Sequence, residues 1–153
     1  MSDAHPDTPT PAAPREVVER FLRASARNEW DELADLYAED AVIEIAFAPP
    51  GVPARWTGRE VHRARFKTVS DLWRFERADS VVIHETSDPE VVIVECDLHG
   101  RTTREARPFT FSYIMVMRIR DGLIVFSKDY HDPLAGARAL GTAAEPGVEQ
   151  TSA

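Results

Sequence analysis

The spacing of apolar positions changes from helical to alternating along this chain. From Arg15 to Arg27, Val17, Val18, Phe21, Leu22 and Ser25 recur at helical spacing with charges between them. Pro14 suits the first turn of that helix, where a missing N–H costs nothing. A second, short helix is predicted after Asp31 as its cap, with Leu33, Leu36 and Tyr37 as its apolar face. The β-branched run Ala41 to Phe47 reads as a strand whose one internal charge is Glu44. APPGVPARW is a loop by its prolines and glycine. Thr57-Gly58-Arg59-Glu60 fits a capping box, in which a hydroxyl and a carboxylate satisfy free helix N–H groups. The helix it opens turns Val61, Ala64, Arg65, Thr68, Val69, Leu72 and Trp73 inward and ends between Trp73 and Glu76.

Beyond that helix the period is two. Val81 to Glu85 is a predicted strand, Ser87 to Glu90 a turn, and Val91 to Thr103 a second strand. Alternation there places Glu95, Asp97 and His99 on one face and Val92, Val94, Cys96 and Leu98 on the other. The longest signal runs from Phe109 to Leu134, where two apolar-rich segments flank Asp121-Gly122. An Asp-Gly pair predicts a type I′ hairpin turn, which needs positive φ at both central positions. Counting outward pairs Arg118 with Val125, Val116 with Ser127, Ile114 with Asp129 and Ser112 with His131. One face then holds Ser112, Ile114, Val116, Ser127, Asp129 and His131; the other holds Tyr113, Met115, Met117, Ile124, Phe126 and Tyr130. Asp132-Pro133 ends the sheet, and Leu134 to Leu140 adds a helical turn.

Three helices interleaved with one short strand, followed by a meander of four long strands, predict an α+β domain. A curved, mainly antiparallel sheet with helices across its concave side leaves a cone open at one end, a natural small-molecule site. The domain is expected over 14–140, with disordered tails at 1–13 and 141–153, which are rich in small and polar residues and proline.

Composition narrows the function. A length of 153 residues suits one domain with a real core. Net charge of −8 and the lack of a Lys/Arg run argue against nucleic acid and anionic membrane as partners. Cys96 is the single cysteine, which excludes an intrachain disulfide and a cysteine-based zinc site. The first residues lack the basic and apolar segments of a signal peptide, and no apolar run approaches membrane-spanning length, so a cytoplasmic location is expected. No phosphate loop, dinucleotide fingerprint or nucleophile elbow is present, and no cofactor is expected.

The candidate chemistry is acid–base. A carboxylate among aliphatic side chains has its ionised form destabilised, so Asp129 is the first candidate for a group poised near working pH. His131, two residues on, is the second candidate, and His99 the third. Candidate substrate contacts are Tyr37, Glu44, Trp56, His62, Arg65, Glu95, Ser112 and Ile114. Trp56, between the proline-rich loop and the capping box, is placed to close the mouth. Glu95, Asp97 and His99 offer metal-ligand types at alternate positions, though no metal is expected.

LADLYAEDAVIE, APPGVPARWTGRE and RIRDGLIVFSKDYHDPLAGARALG together carry a family resemblance. With the helix before them, they make nearly the whole ordered chain similar to the SnoaL-like branch of the nuclear transport factor 2-like (cystatin-like cone) superfamily. ETSDPEVVIVECDLHGR resembles the matching strand pair of the phenazine-biosynthesis A/B proteins. The resemblance implies the cone fold, a deep pocket, a homodimer formed by sheet surfaces and metal-free acid–base catalysis. It does not imply one activity, since the fold hosts isomerases, cyclases, dehydratases, epoxide hydrolases and plain binding proteins. In the phenazine proteins a glutamate on the last strand acts with a histidine on the third helix. Here Asp129 stands at the strand position, one methylene shorter. Gap-free counting puts Arg65 at the helix position, with His62 one turn earlier. The phenazine substrate is therefore not carried over. The expected protein is a cofactor-free enzyme of specialised metabolism that isomerises, cyclises or dehydrates a small, partly apolar, ring-forming substrate. The alternatives are a non-catalytic small-molecule binder or accessory pathway protein, and an epoxide hydrolase-like enzyme using Glu44, Asp129 and a histidine.

Overall fold

The computed structural model describes residues 9–142. The expected tails at 1–13 and 141–153 lie largely outside these. Of the first, Ala12 packs against the core and Pro11 against the Gly122 turn.

Helix α1 (Pro14–Ala26) starts at proline as the sequence predicts, and its stripe of Val17, Val18, Phe21 and Leu22 is buried. α2 (Trp30–Asp35) begins one residue before Asp31, which lies inside its first turn and caps nothing. Between them Asn28 adopts a left-handed φ of 59°. Its side chain donates to the Phe75 carbonyl at 2.8 Å and accepts from the Phe75 N–H at 2.8 Å, which ties this corner to the sheet.

Strand β1 (Tyr37–Ile45) starts four residues earlier than the β-branched run suggests. The proline-rich segment read as loop contributes a short edge strand, β2 (Arg55–Thr57). The expected capping box does not form. Gly58, at a φ of 102°, is the N-cap of α3 (Arg59–Leu72), and Thr57 is spent in β2. Glu60 instead pairs with Arg63. The start of α3 is held by the Ala41 carbonyl, which accepts the Gly58 N–H at 2.9 Å. α3 stops at Leu72 because Trp73 already begins β3 (Trp73–Glu85), a longer strand than periodicity indicates.

β4 (Val91–Thr102), β5 (Pro108–Arg120) and β6 (Leu123–His131) complete one six-stranded sheet in the order β2-β1-β6-β5-β4-β3. β1 and β6 run parallel; every other pair is antiparallel. A last short helix, α4 (Ala135–Leu140), follows Pro133. The fold is α+β, as the element order predicts.

The helices pack on one face of the sheet. Val92, Val94 and Cys96 of β4, Met115, Met117 and Ile119 of β5 and Ile124 of β6 form that inner face against α1. A second, aromatic cluster of Trp73, Phe75, Phe109 and Phe111 with Leu98 fills the far end, its rings mostly edge to face. Gly100 permits this packing. A side chain there would collide with the Arg74 carbonyl and lie 2.7 Å from the Phe109 ring.

The hairpin register differs from the count made on sequence. Asp121 (φ 52°) and Gly122 (φ 77°) both have positive φ, as type I′ requires, and Ile119 opposes Ile124. The ladder then skips Val125, so that Arg118 opposes Phe126, Met117 opposes Ser127, Met115 opposes Asp129 and Tyr113 opposes His131. One extra residue in one strand is a β-bulge, and it exchanges the faces of everything beyond it. Ser127, Asp129 and His131 therefore share the inner face with Tyr113, Met115 and Met117. Ser112, Ile114 and Val116 share the outer face with Phe126, Lys128 and Tyr130.

Candidate active site

The bulge brings Asp129 among Met115, Ile45 and Tyr113 on the inner face. Ile45 pairs with it from β1, and the Ala46 N–H donates to the Asp129 carbonyl at 3.0 Å. The carboxylate accepts a 2.6 Å hydrogen bond from the Ser127 hydroxyl. Asp129 keeps a little solvent contact, yet its carboxyl is pushed up to about 6. Desolvation is the main cause; the Ser127 hydrogen bond and the charge of Arg65 act against it. A carboxyl in that range exchanges its proton near neutral pH.

Two phenols face the same carboxyl. Tyr37 (β1) and Tyr113 (β5) have their pKa values raised, first by burial and then by the negative charge of Asp129. Cys96 (β4) is pushed up to about 11 by burial, with smaller contributions from Asp97 and Asp129. Tyr37, Tyr113 and Cys96 thus stay protonated at neutral pH, and the two hydroxyls are available as hydrogen-bond donors.

From above, α3 presents His62, Arg65 and Phe66 at helical spacing toward this surface. His62 is fully buried (0% exposed), its Nε2 bonded to the Ala41 carbonyl at 2.8 Å and its ring 5.4 Å from Tyr37. Burial pulls its pKa down, so the ring is neutral, and Nδ1 has no partner among the described residues. The guanidinium of Arg65 lies over the Trp56 ring, 4.3 Å from its centroid. Trp56 opposes Ile43 across the β1–β2 ladder and so belongs to the inner face. Its indole N–H donates to the Pro53 carbonyl at 3.1 Å.

His131 stands at the end of the same face, its ring 5.2 Å from Tyr113. Burial lowers its pKa, against a smaller opposing effect of Asp132, and its Nδ1 is buried without a partner among the described residues. It borders a cavity of about 150 Å³ shared with Trp73, Phe111, Tyr113 and Pro133. That volume accommodates only a small fragment, compared with roughly 300–1,000 Å³ for drug-sized sites. Asp129 does not line it; Tyr113 is common to the cavity and the carboxyl's surroundings.

The other sequence candidates lie elsewhere. Glu44 pairs with Arg55 at 3.0 Å. Ser112 and Ile114 are on the outer face, with the Ser112 hydroxyl donating to Asp97 at 2.6 Å. Glu95 contacts His84 at 2.6 Å. His99 lies between Asp79 (2.7 Å) and Thr110 (2.8 Å) on that same outer face, apart from Asp129. Asp79, Asp97 and His99 bring ligand-type atoms within 4.8 Å of one another across β3 and β4, whereas Glu95 of the alternate-position set contacts His84 instead, so that set does not come together as read. Glu44, Asp129 and a histidine, the set an epoxide hydrolase would use, are not brought together.

The sequence reading placed Ser127 beside Asp129 but missed Met115 and Ile45. The signal for Met115 lay in the hairpin, where a bulge-aware register exposes it; Ile45 comes from the parallel pairing of β1 with β6, which no local pattern shows.

Known proteins agree with this architecture. An uncharacterised PhzA/B-like protein, PA3332, of Pseudomonas aeruginosa is 32% identical over 127 residues, covering 83% of this chain and 89% of the relative. A solved Bacillus subtilis structure, provisionally described as an isomerase, superposes with a TM-score of 0.79 at 27% identity, covering 84% of this chain and 93% of that one. A Pseudomonas putida structure provisionally described as a polyketide cyclase shares the fold, with a TM-score of 0.70 at 16% identity, over 84% of this chain and 98% of its own. The SnoaL-like domain matches residues 18–127. That match spans most of the chain, and the chain belongs to the SnoaL-like domain family.

Proposed function

We propose that this protein is a cofactor-free acid–base enzyme of specialised metabolism. It isomerises, cyclises or dehydrates a small, partly apolar, ring-forming molecule, with Asp129 carrying the proton. One observation carries the reading: a carboxyl on the inner face of the sheet, desolvated among Met115, Ile45 and Tyr113, with its pKa pushed up to about 6. Such a group accepts a proton from a carbon or hydroxyl and returns it elsewhere on the substrate without a change of solvent. Tyr37 and Tyr113, kept protonated, support the developing oxyanion by hydrogen bonding. His131 acts as a second proton carrier at the cavity end. Family membership and the isomerase and cyclase descriptions of the structural neighbours support the reaction class.

The functional form is a cytoplasmic homodimer joined through the outer sheet face, where Val82 and Ile114 stand 46% and 44% exposed. The test begins with native mass spectrometry of the protein after exposure to a metabolite extract, which identifies the ligand. Turnover of that ligand is then followed for wild type and Asp129→Asn. The expected result is loss of turnover with affinity retained within a few-fold. If binding and any biological effect survive the substitution unchanged and neither protein turns the ligand over, the protein is a binder; if Asp129→Asn turns it over as wild type does, Asp129 does not carry the proton and the acid–base reading falls.

A further inference from the structure

We infer that Arg65, set over Trp56 and without a carboxylate partner among the described residues, holds the carboxylate of an acidic substrate on the inner face opposite Asp129. This rests on the reading of the inner face as a ligand site, and it names the substrate class.

The arginine inventory motivates it. Arg15, Arg55, Arg59, Arg63, Arg77, Arg101, Arg107, Arg118, Arg120 and Arg138 all form ion pairs. Arg20, Arg23, Arg27, Arg74 and Arg104 form none among the described residues, but each is exposed to water. Arg65 also forms none, yet it is drawn into the fold, and burial opposes its charge. A half-buried guanidinium with no anionic partner among the described residues loses part of its hydration without compensation. The ionisable groups that act on it are the Asp129 carboxyl and the buried phenols of Tyr37 and Tyr113, of which only Asp129 can carry a charge near neutral pH. None of them reaches it as an ion pair or hydrogen bond.

Arg65 and Asp129 stand on one face without an ion pair between them. Trp56 on β2 and Asp129 on β6 share the inner face with β1 between them. Strands lie ~4.8 Å apart, so the two backbones are separated by roughly 10 Å. Arg65 comes down from α3 on the Trp56 side of that span. The indole is held by its bond to Pro53 and supports the guanidinium, which has no hydrogen-bond partner among the described residues. An arginine edge of this kind matches a carboxylate with two parallel hydrogen bonds. One guanidinium neutralises a single negative charge, which favours a carboxylate over a phosphate dianion. The reacting part of the molecule then extends toward Asp129.

The probes are benzoate and its neutral isostere benzamide, each followed by the Trp56 indole resonance and by calorimetry. Wild type is expected to bind benzoate at least ~10-fold tighter than benzamide, the advantage of a charge-assisted bidentate pair. Arg65→Met removes that ratio, Arg65→Lys retains part of it because charge stays while the fork is lost, and Asp129→Asn leaves it intact or larger. Equal affinity for the two probes, no benzoate binding up to ~10 mM, or an unchanged ratio in both Arg65 variants overturns the inference. If Arg65→Met unfolds, Arg65→Lys alone decides. A surviving benzoate preference alongside full turnover in Asp129→Asn would keep this inference and remove the acid–base reading. Lost turnover without any benzoate preference would do the reverse.

Discussion

Replacing Asp129 by asparagine should stabilise the protein at alkaline pH while destroying its proposed activity. The carboxyl is displaced from 3.8 to about 6 in the folded chain, mainly by desolvation. At ~1.4 kcal/mol per unit, the ionised form is disfavoured by ~3 kcal/mol, and residual solvent contact lowers this to ~1–3 kcal/mol. The folded state holds this proton more tightly than the unfolded chain. The stability linked to it is complete below about pH 4, declines as pH rises to about 6, and is absent above. Asparagine has the shape of the protonated acid at every pH, and its oxygen still accepts from the Ser127 hydroxyl, which lies 2.6 Å from the carboxylate. Asp129→Asn should therefore match wild type within ~0.5 kcal/mol at pH 4 and exceed it by ~1–3 kcal/mol at pH 8. For a chain of this size the melting temperature at pH 8 rises by ~3–10 °C. Urea and thermal unfolding of both proteins at pH 4, 6 and 8 measure the difference, and titrations common to both cancel. A difference that does not change with pH, or a variant weaker than wild type at pH 8, would refute the desolvated carboxyl. Asp129 would then be an ordinary surface acid.

Two further substitutions test how the surrounding frame is held. Asn28→Ala removes both 2.8 Å bonds to Phe75 and leaves alanine at a φ of 59°, so chemical denaturation should show a loss of ~2–3 kcal/mol. Gly100→Ala forces a methyl into the Arg74 backbone and the Phe109 ring, which should cost ~3 kcal/mol or more and disturb the near-ultraviolet signal of the aromatic cluster.

Much of this protein was legible in the order of its residues. The period of Val17, Val18, Phe21 and Leu22 marked α1, the alternation of Val92, Val94, Cys96 and Leu98 marked β4, and Asp121-Gly122 marked the hairpin turn. These are local properties, set by backbone periodicity and by the φ that a turn demands. The sequence also singled out Asp129, Trp56 and Arg65, which the fold brings to one face.

Other features depended on contacts between distant segments. The capping box at Thr57 lost to strand pairing, because Thr57 opposes Val42 across β1 and Gly58 can take a φ of 102°. His99 and Glu95 looked like candidates by type, but the sheet pairs them with Asp79 and His84 on the outer face. Skipping Val125 settles the side of the sheet on which Asp129 stands. That bulge is not written in the turn residues; it satisfies the burial of both strands at once, turning Met115 and Met117 inward with Ser127 and Asp129 while Lys128 faces out. A lysine on the inner face would have to surrender its charge, whereas a carboxyl can remain there by holding its proton. Local sequence thus determined which groups were present, and tertiary packing decided that one of them would sit desolvated on the inner face of the sheet.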